Sequence, residues 1–131
     1  ARFIKRIKVF ENVIKSKDFD FIGFNTCLEE FGRRSGISQK AIYRMQSVFE
    51  ELCVQIVIPE FKKDFIMNVT AEYSQEDDSI LLEIRYDGKT FNPMDSDNIL
   101  SIKLAQNASE SIEHAEISED GFTNLITAKI K

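Results

Sequence analysis

Two adjacent carboxylates, Glu50 and Glu51, sit in an otherwise apolar run, Phe49-Glu50-Glu51-Leu52-Cys53-Val54-Gln55. On a helix, neighbouring side chains point about 100° apart, so only one of the two can face a given site. Glu51 is then the candidate general base, against the ordinary role of such a residue as a solvated helix-face charge. A second carboxylate pair, Asp77-Asp78, falls in a polar turn, where both side chains face solvent. His114 is the only histidine and lies in a strand-like run with no Cys or Asp partner pattern nearby, which reads as a structural or exposed residue. Cys27 and Cys53 lack CxxC spacing and fall in apolar, helix-like segments, which reads as two buried thiols in a reducing compartment.

Residues 2–16 carry Phe3, Ile7, Phe10 and Ile14 at helical spacing, which predicts a helix over that stretch and makes residues 1–17 a candidate linker from a preceding domain. Asp18 is placed to cap a second helix with an apolar stripe of Phe21, Phe24, Leu28 and Phe31, stopped by Gly32 and Gly36. Ser38 then caps a third helix, which buries Ile42, Met45, Phe49, Leu52, Cys53 and Ile56 until Pro59 ends it. There the period changes. Met67, Val69, Ala71 and Tyr73 alternate with polar residues, and after a turn at 75–79 so do Ile80, Leu82, Ile84 and Tyr86, which predicts a hairpin. Asp87-Gly88-Lys89 breaks the second strand and Asn92-Pro93 continues the loop. A short helix from Ile99 and two strands, about 111–118 and 122–131, complete the order. An α+β, two-layer α/β sandwich follows, with helices on one face of a mainly antiparallel sheet.

The 131 residues are 43% hydrophobic and 30% charged, the balance of one globular domain. A net charge of −5 and a pI near 5.0 oppose a broad nucleic-acid surface, and the cluster Arg2, Lys5, Arg6, Lys8 reads as a solvated face. No apolar run is long enough to span a bilayer and no signal peptide is visible, so a cytoplasmic location is expected. The start at Ala1 suggests a domain of a longer protein. Of the 11 phenylalanines, six fall in residues 3–31, a surplus that predicts docking on an adjacent domain, a protein partner or a second copy as a homodimer.

Two segments resemble motifs of the histidine-kinase-like (GHKL) ATPases, in particular the branch of anti-sigma-factor serine kinases. Residues 49–55 resemble the first ATP motif, in which a helix carries a glutamate and, four residues on, an asparagine. Arg85-Tyr86-Asp87-Gly88-Lys89-Thr90-Phe91-Asn92-Pro93 resembles the second, where a strand runs into Asp-x-Gly and a Phe-Asp-Pro-like continuation. The element order over residues 18–131 is similar to the family's as well.

By that resemblance Glu51 is the catalytic base, Gln55 the magnesium ligand, and Tyr86, Asp87 and Gly88 line the adenine pocket, with ATP and magnesium as cofactors. The departures are as informative. Gln55 replaces the family's asparagine, moving the amide oxygen by one methylene. Tyr86 stands where the family's aspartate accepts from adenine, and losing such a partner costs about 1–3 kcal/mol. Asp95-Ser96-Asp97-Asn98 offers two carboxylates and no glycine where the family's lid lets bare backbone amides approach the triphosphate. The expected function is a degenerate, non-catalytic regulatory or interaction domain of a larger bacterial signalling or transport protein, without a nucleotide cofactor. The rival is an active ATP-dependent serine kinase or ATPase, and a second rival is a pocket for another small ligand.

Overall fold

The computed structural model describes residues 7–131. Its frame is a five-stranded antiparallel sheet in the order β1-β2-β3-β5-β4, made of β1 (Ile7–Ile14), β2 (Met67–Ser74), β3 (Ser79–Tyr86), β4 (Ser111–Glu119) and β5 (Phe122–Ile130). Strands β2 and β3 alternate strictly between buried and half-buried residues, as a sheet with one packed face must. The buried set, Met67, Val69, Ala71 and Tyr73 opposite Tyr86, Ile84, Leu82 and Ile80, is the hairpin expected from the alternation.

On that face lie α1 (Phe21–Ser35), α2 (Gln39–Phe49), a π-wound segment (Glu50–Val57) that runs on into a last turn, α3 (Ile58–Glu60), and α4 (Ile99–Asn107). Ser38 caps α2 as expected, its hydroxyl accepting from the Ala41 amide. The cap of α1 is Asp20 rather than Asp18, with Oδ1 accepting from the Gly23 amide at 2.9 Å. Gly36, with φ +81°, ends α1, while Gly32 lies inside it, where a Cβ would collide with Ile42 of α2. The two-layer α+β arrangement is the one the order of periods implies.

The helix expected over residues 2–16 is corrected. Ile7–Ile14 is a strand, antiparallel to β2 with Ile7 opposite Ser74 and Ile14 opposite Met67. The part of that expectation at residues 1–6 lies outside the described residues. Phe10 and Ile14 fit a helix face and one face of a strand equally, and β-branched Ile7, Val9, Val13 and Ile14 tip the balance toward extended backbone. Residues 7–14 are therefore part of the domain's own sheet rather than a linker helix.

The phenylalanines also have a local use. Phe24 stacks on Phe49 with centroids 4.3 Å apart, Phe10 meets Phe24 and Phe31 at 5.8 and 5.7 Å, and Phe19 and Phe21 pack on the same group. Within the described residues the aromatic surplus is absorbed where β1, α1 and α2 meet. Phe3 lies outside them.

Candidate functional site

Of the candidate site residues, Asp87 and Gly88 lie at the end of the sheet where β3 gives way to the loop 87–98. Between that loop and the segment following α3 lies a cleft of about 730 Å³. Ile56, Phe61 and Phe91 supply apolar wall. Three lysines (Lys62, Lys63, Lys89) and five carboxylates (Glu60, Asp64, Asp87, Asp95, Asp97) surround it. None of these charges is in an ion pair among the described residues.

Asp87 and Gly88 reach the cleft, but their polar atoms are engaged elsewhere. Asp87 Oδ1 accepts from the Ile66 amide at 3.1 Å, and its own amide donates to the Ile66 carbonyl at 3.3 Å. This reciprocal pair fastens the end of β3 to the residue before β2. Gly88 has φ +83°, and a Cβ there would come within 3.2 Å of the Phe61 ring. Its glycine character is thus required by a turn and a close aromatic contact.

Tyr86 is fully buried, inside the core rather than on the cleft wall. Its hydroxyl donates to the Phe91 carbonyl at 2.7 Å, closing the loop 87–91 over its own ring. Phe61 stands edge-on to it at 6.3 Å and Phe91 packs at 5.6 Å. Burial pushes the Tyr86 phenol well above its ordinary value, with Cys53 adding to the effect. Cys53 is buried and its thiol is raised for the same reason, whereas Cys27 is exposed, against the expectation of two buried thiols.

Glu51 and Gln55 are not brought together at the cleft. Glu51 is half-buried and faces α4, where its Oε1 accepts from the hydroxyl of buried Ser101 at 2.8 Å. Gln55 is exposed, and neither residue lines the cleft. The local cause is the winding. Over Glu50–Val57 the helix is of π type, the Ile58 amide at its end bonding the carbonyl five residues back, at Cys53. Residues four apart then no longer stack as they do on an α-helix. Pro59 bears on this winding, since it cannot donate and its ring crowds the carbonyl four residues earlier. The proline stays within the helix, which runs one residue further to Glu60.

The side chain that organises the loop is one the sequence did not single out. Asn124 on β5 is fully buried, and its Oδ1 accepts from the Phe91 amide at 3.0 Å while its Nδ2 donates to the Lys89 carbonyl at 3.2 Å. These two backbone groups fix which end of the amide is oxygen. His114 Nε2, 2.8 Å from the same oxygen, must therefore carry its hydrogen and donate. Thr123 adds a hydroxyl bond to the Gly88 carbonyl at 2.7 Å. Only a buried asparagine between strand residues could have signalled this hub, and its two backbone partners in the loop are more than thirty residues away in sequence.

The arrangement holds a loop rigidly and surrounds a cleft with unpaired charges of both signs. Glu51 and Gln55 do not converge, and no group of three or more His, Cys, Asp or Glu among the described residues is placed to hold a metal. No described helix is long and apolar enough to cross a membrane. Compared with known proteins, the chain matches no family model and no curated protein.

Proposed function

We propose that this chain is a regulatory or protein-interaction module that keeps the layered frame of a GHKL-type ATPase and has given its nucleotide site over to structural contacts. Its setting would be a larger bacterial signalling or transport protein. The element order supports the frame: a helix bearing Glu51, a strand pair, a loop, a helix and a second strand pair. One observation carries the loss of the nucleotide site. Tyr86, standing where the family places its adenine-binding aspartate, is fully buried with its hydroxyl committed to the Phe91 carbonyl. An adenine amino group would find a filled core instead of a carboxylate. The tie between Glu51 and Ser101 supports the same reading, because a base engaged by α4 is not free to polarise a hydroxyl at the cleft.

The three lysines around the cleft favour the rival reading, an active ATP-binding kinase or ATPase. Calorimetric titration with ATP and ADP in millimolar magnesium, paired with thermal melts, separates the two. A ligand at a hundredfold excess over its Kd stabilises the fold by about 2.7 kcal/mol, which a melt resolves easily. The expected result is no heat and no shift. Micromolar binding that disappears in Glu51→Ala or Gln55→Ala would restore the kinase.

A further inference from the structure

The two edges of the sheet are built differently. At one end, β4 exposes Glu113, Glu116 and Glu119, and its register against β5 slips between Glu116 and Glu119. Charge and bulging are the devices by which an edge strand refuses further pairing. At the other end, β1 has no bulge and no row of like charges. Its register against β2 is regular from Ile7 to Ile14, its charges are Lys8 and Glu11, and Ile7, Val9 and Val13 are 42%, 59% and 45% exposed.

We propose that β1 pairs with β1 of a second copy of this chain, antiparallel and centred on Phe10, joining two five-stranded sheets into one of ten strands. The inference stands on the sheet edge and is independent of what the cleft binds. A twofold axis through a strand edge makes the pairing antiparallel and self-complementary. Facing side chains must lie on one side of the sheet, so the axis has to pass opposite a residue. Centred on Phe10, Ile7 faces Val13 twice, Val9 faces Glu11, Lys8 faces Asn12, and Phe10 faces itself. Among these described pairs no like charges meet. Centred on Glu11 instead, two glutamates would face each other, and centred on Val9 the overlap of the described strand shrinks to residues 7–11.

The test is sedimentation velocity of the full chain over a concentration series. The wild type is expected to form a reversible dimer. Ile7→Glu alone, or Val13→Lys alone, sets a charge against an apolar residue at two symmetry-related places and should weaken the dimer about tenfold. The double variant Ile7→Glu with Val13→Lys brings opposite charges face to face twice and should restore it. Within one protomer these positions are six residues, about 20 Å, apart, and their β2 neighbours are uncharged Ser74 and Asn68. Rescue can therefore come only from the partner copy. Both sites are solvent-exposed, so thermal melts should show each variant folded. A wild type that stays monomeric, a dimer indifferent to both single changes, or a double variant no better than the singles would each overturn the proposal.

Discussion

Replacing Asn124 by leucine tests whether one buried amide sets the conformation of the loop that walls the cleft. The side chain joins four groups: the Phe91 amide, the Lys89 carbonyl, the His114 ring and the Thr123 hydroxyl. Leucine is similar in size and apolar, so packing is largely kept while all four bonds go. Two of the losses strand a donor, the Phe91 amide and the His114 Nε2–H. A stranded buried donor costs about 1–3 kcal/mol. Both residues are half-buried, so water offsets part of that, and the net expectation is a loss of about 2–4 kcal/mol. By contrast Thr123→Val, which removes the bond to the Gly88 carbonyl and one of the two that Asn124 Nδ2 donates, should cost about 0.5–2 kcal/mol. Urea unfolding gives both numbers, and amide hydrogen exchange at Phe91 reports the loop directly. In Asn124→Leu that amide should lose its protection well before the strand amides of β5 do. A loss below about 0.5 kcal/mol with Phe91 still protected would refute the hub, since two partly buried donors cannot both be stranded at so little cost.

Gly88→Ala should destabilise by about 1–2 kcal/mol in the same assay, because φ of +83° disfavours any Cβ and that Cβ would press on Phe61. Thiol labelling under native conditions should modify Cys27 quickly and Cys53 only after unfolding, read by intact mass. Stability should also fall at alkaline pH in a defined way. Cys53 keeps its proton in the folded state, whereas the unfolded chain releases it near 9.0, so the folded state binds more protons and stability declines above that pH. The slope is about 1.4 kcal/mol per pH unit for one such group, and it steepens once the unfolded Tyr86 ionises near 10.0. Cys53→Ala should flatten the first part of that decline in urea titrations between neutral pH and pH 11, and parallel curves for variant and wild type would count against the burial argument.

What was legible in the sequence was whatever is written locally. The alternation of Met67–Tyr73 and Ile80–Tyr86, the Ser38 cap and the apolar stripe of α2 each depend on spacing along a few residues, and each is realised. β1 carries no local strand signature in its spacing, because this edge strand of a one-sided sheet has apolar residues on both faces. Ile7, Val9 and Val13 are exposed while Phe10 and Ile14 turn inward, so no clean alternation marks it. Of the candidate site residues, Asp87 and Gly88 do reach the cleft, whereas Tyr86 sinks into the core and Glu51 turns to α4. The partners that draw them away, Ile66, Phe61 and Ser101, come from other segments, and contacts of that range leave no periodic mark. The Asn124 hub was out of reach for the same reason.

The π winding of residues 50–57 has a consequence for how this helix tolerates length change. A turn closed by bonds to the fifth residue back holds one residue more than an α turn needs, so the segment is in effect carrying a spare residue. Removing one residue from within it lets the chain close as an ordinary α-helix while Met45 on one side and Phe65 on the other keep their places. The same deletion in α2 has no slack to draw on and would swing every later side chain about 100° around the axis. The middle of this domain's longest helix is therefore its most forgiving place for a one-residue deletion.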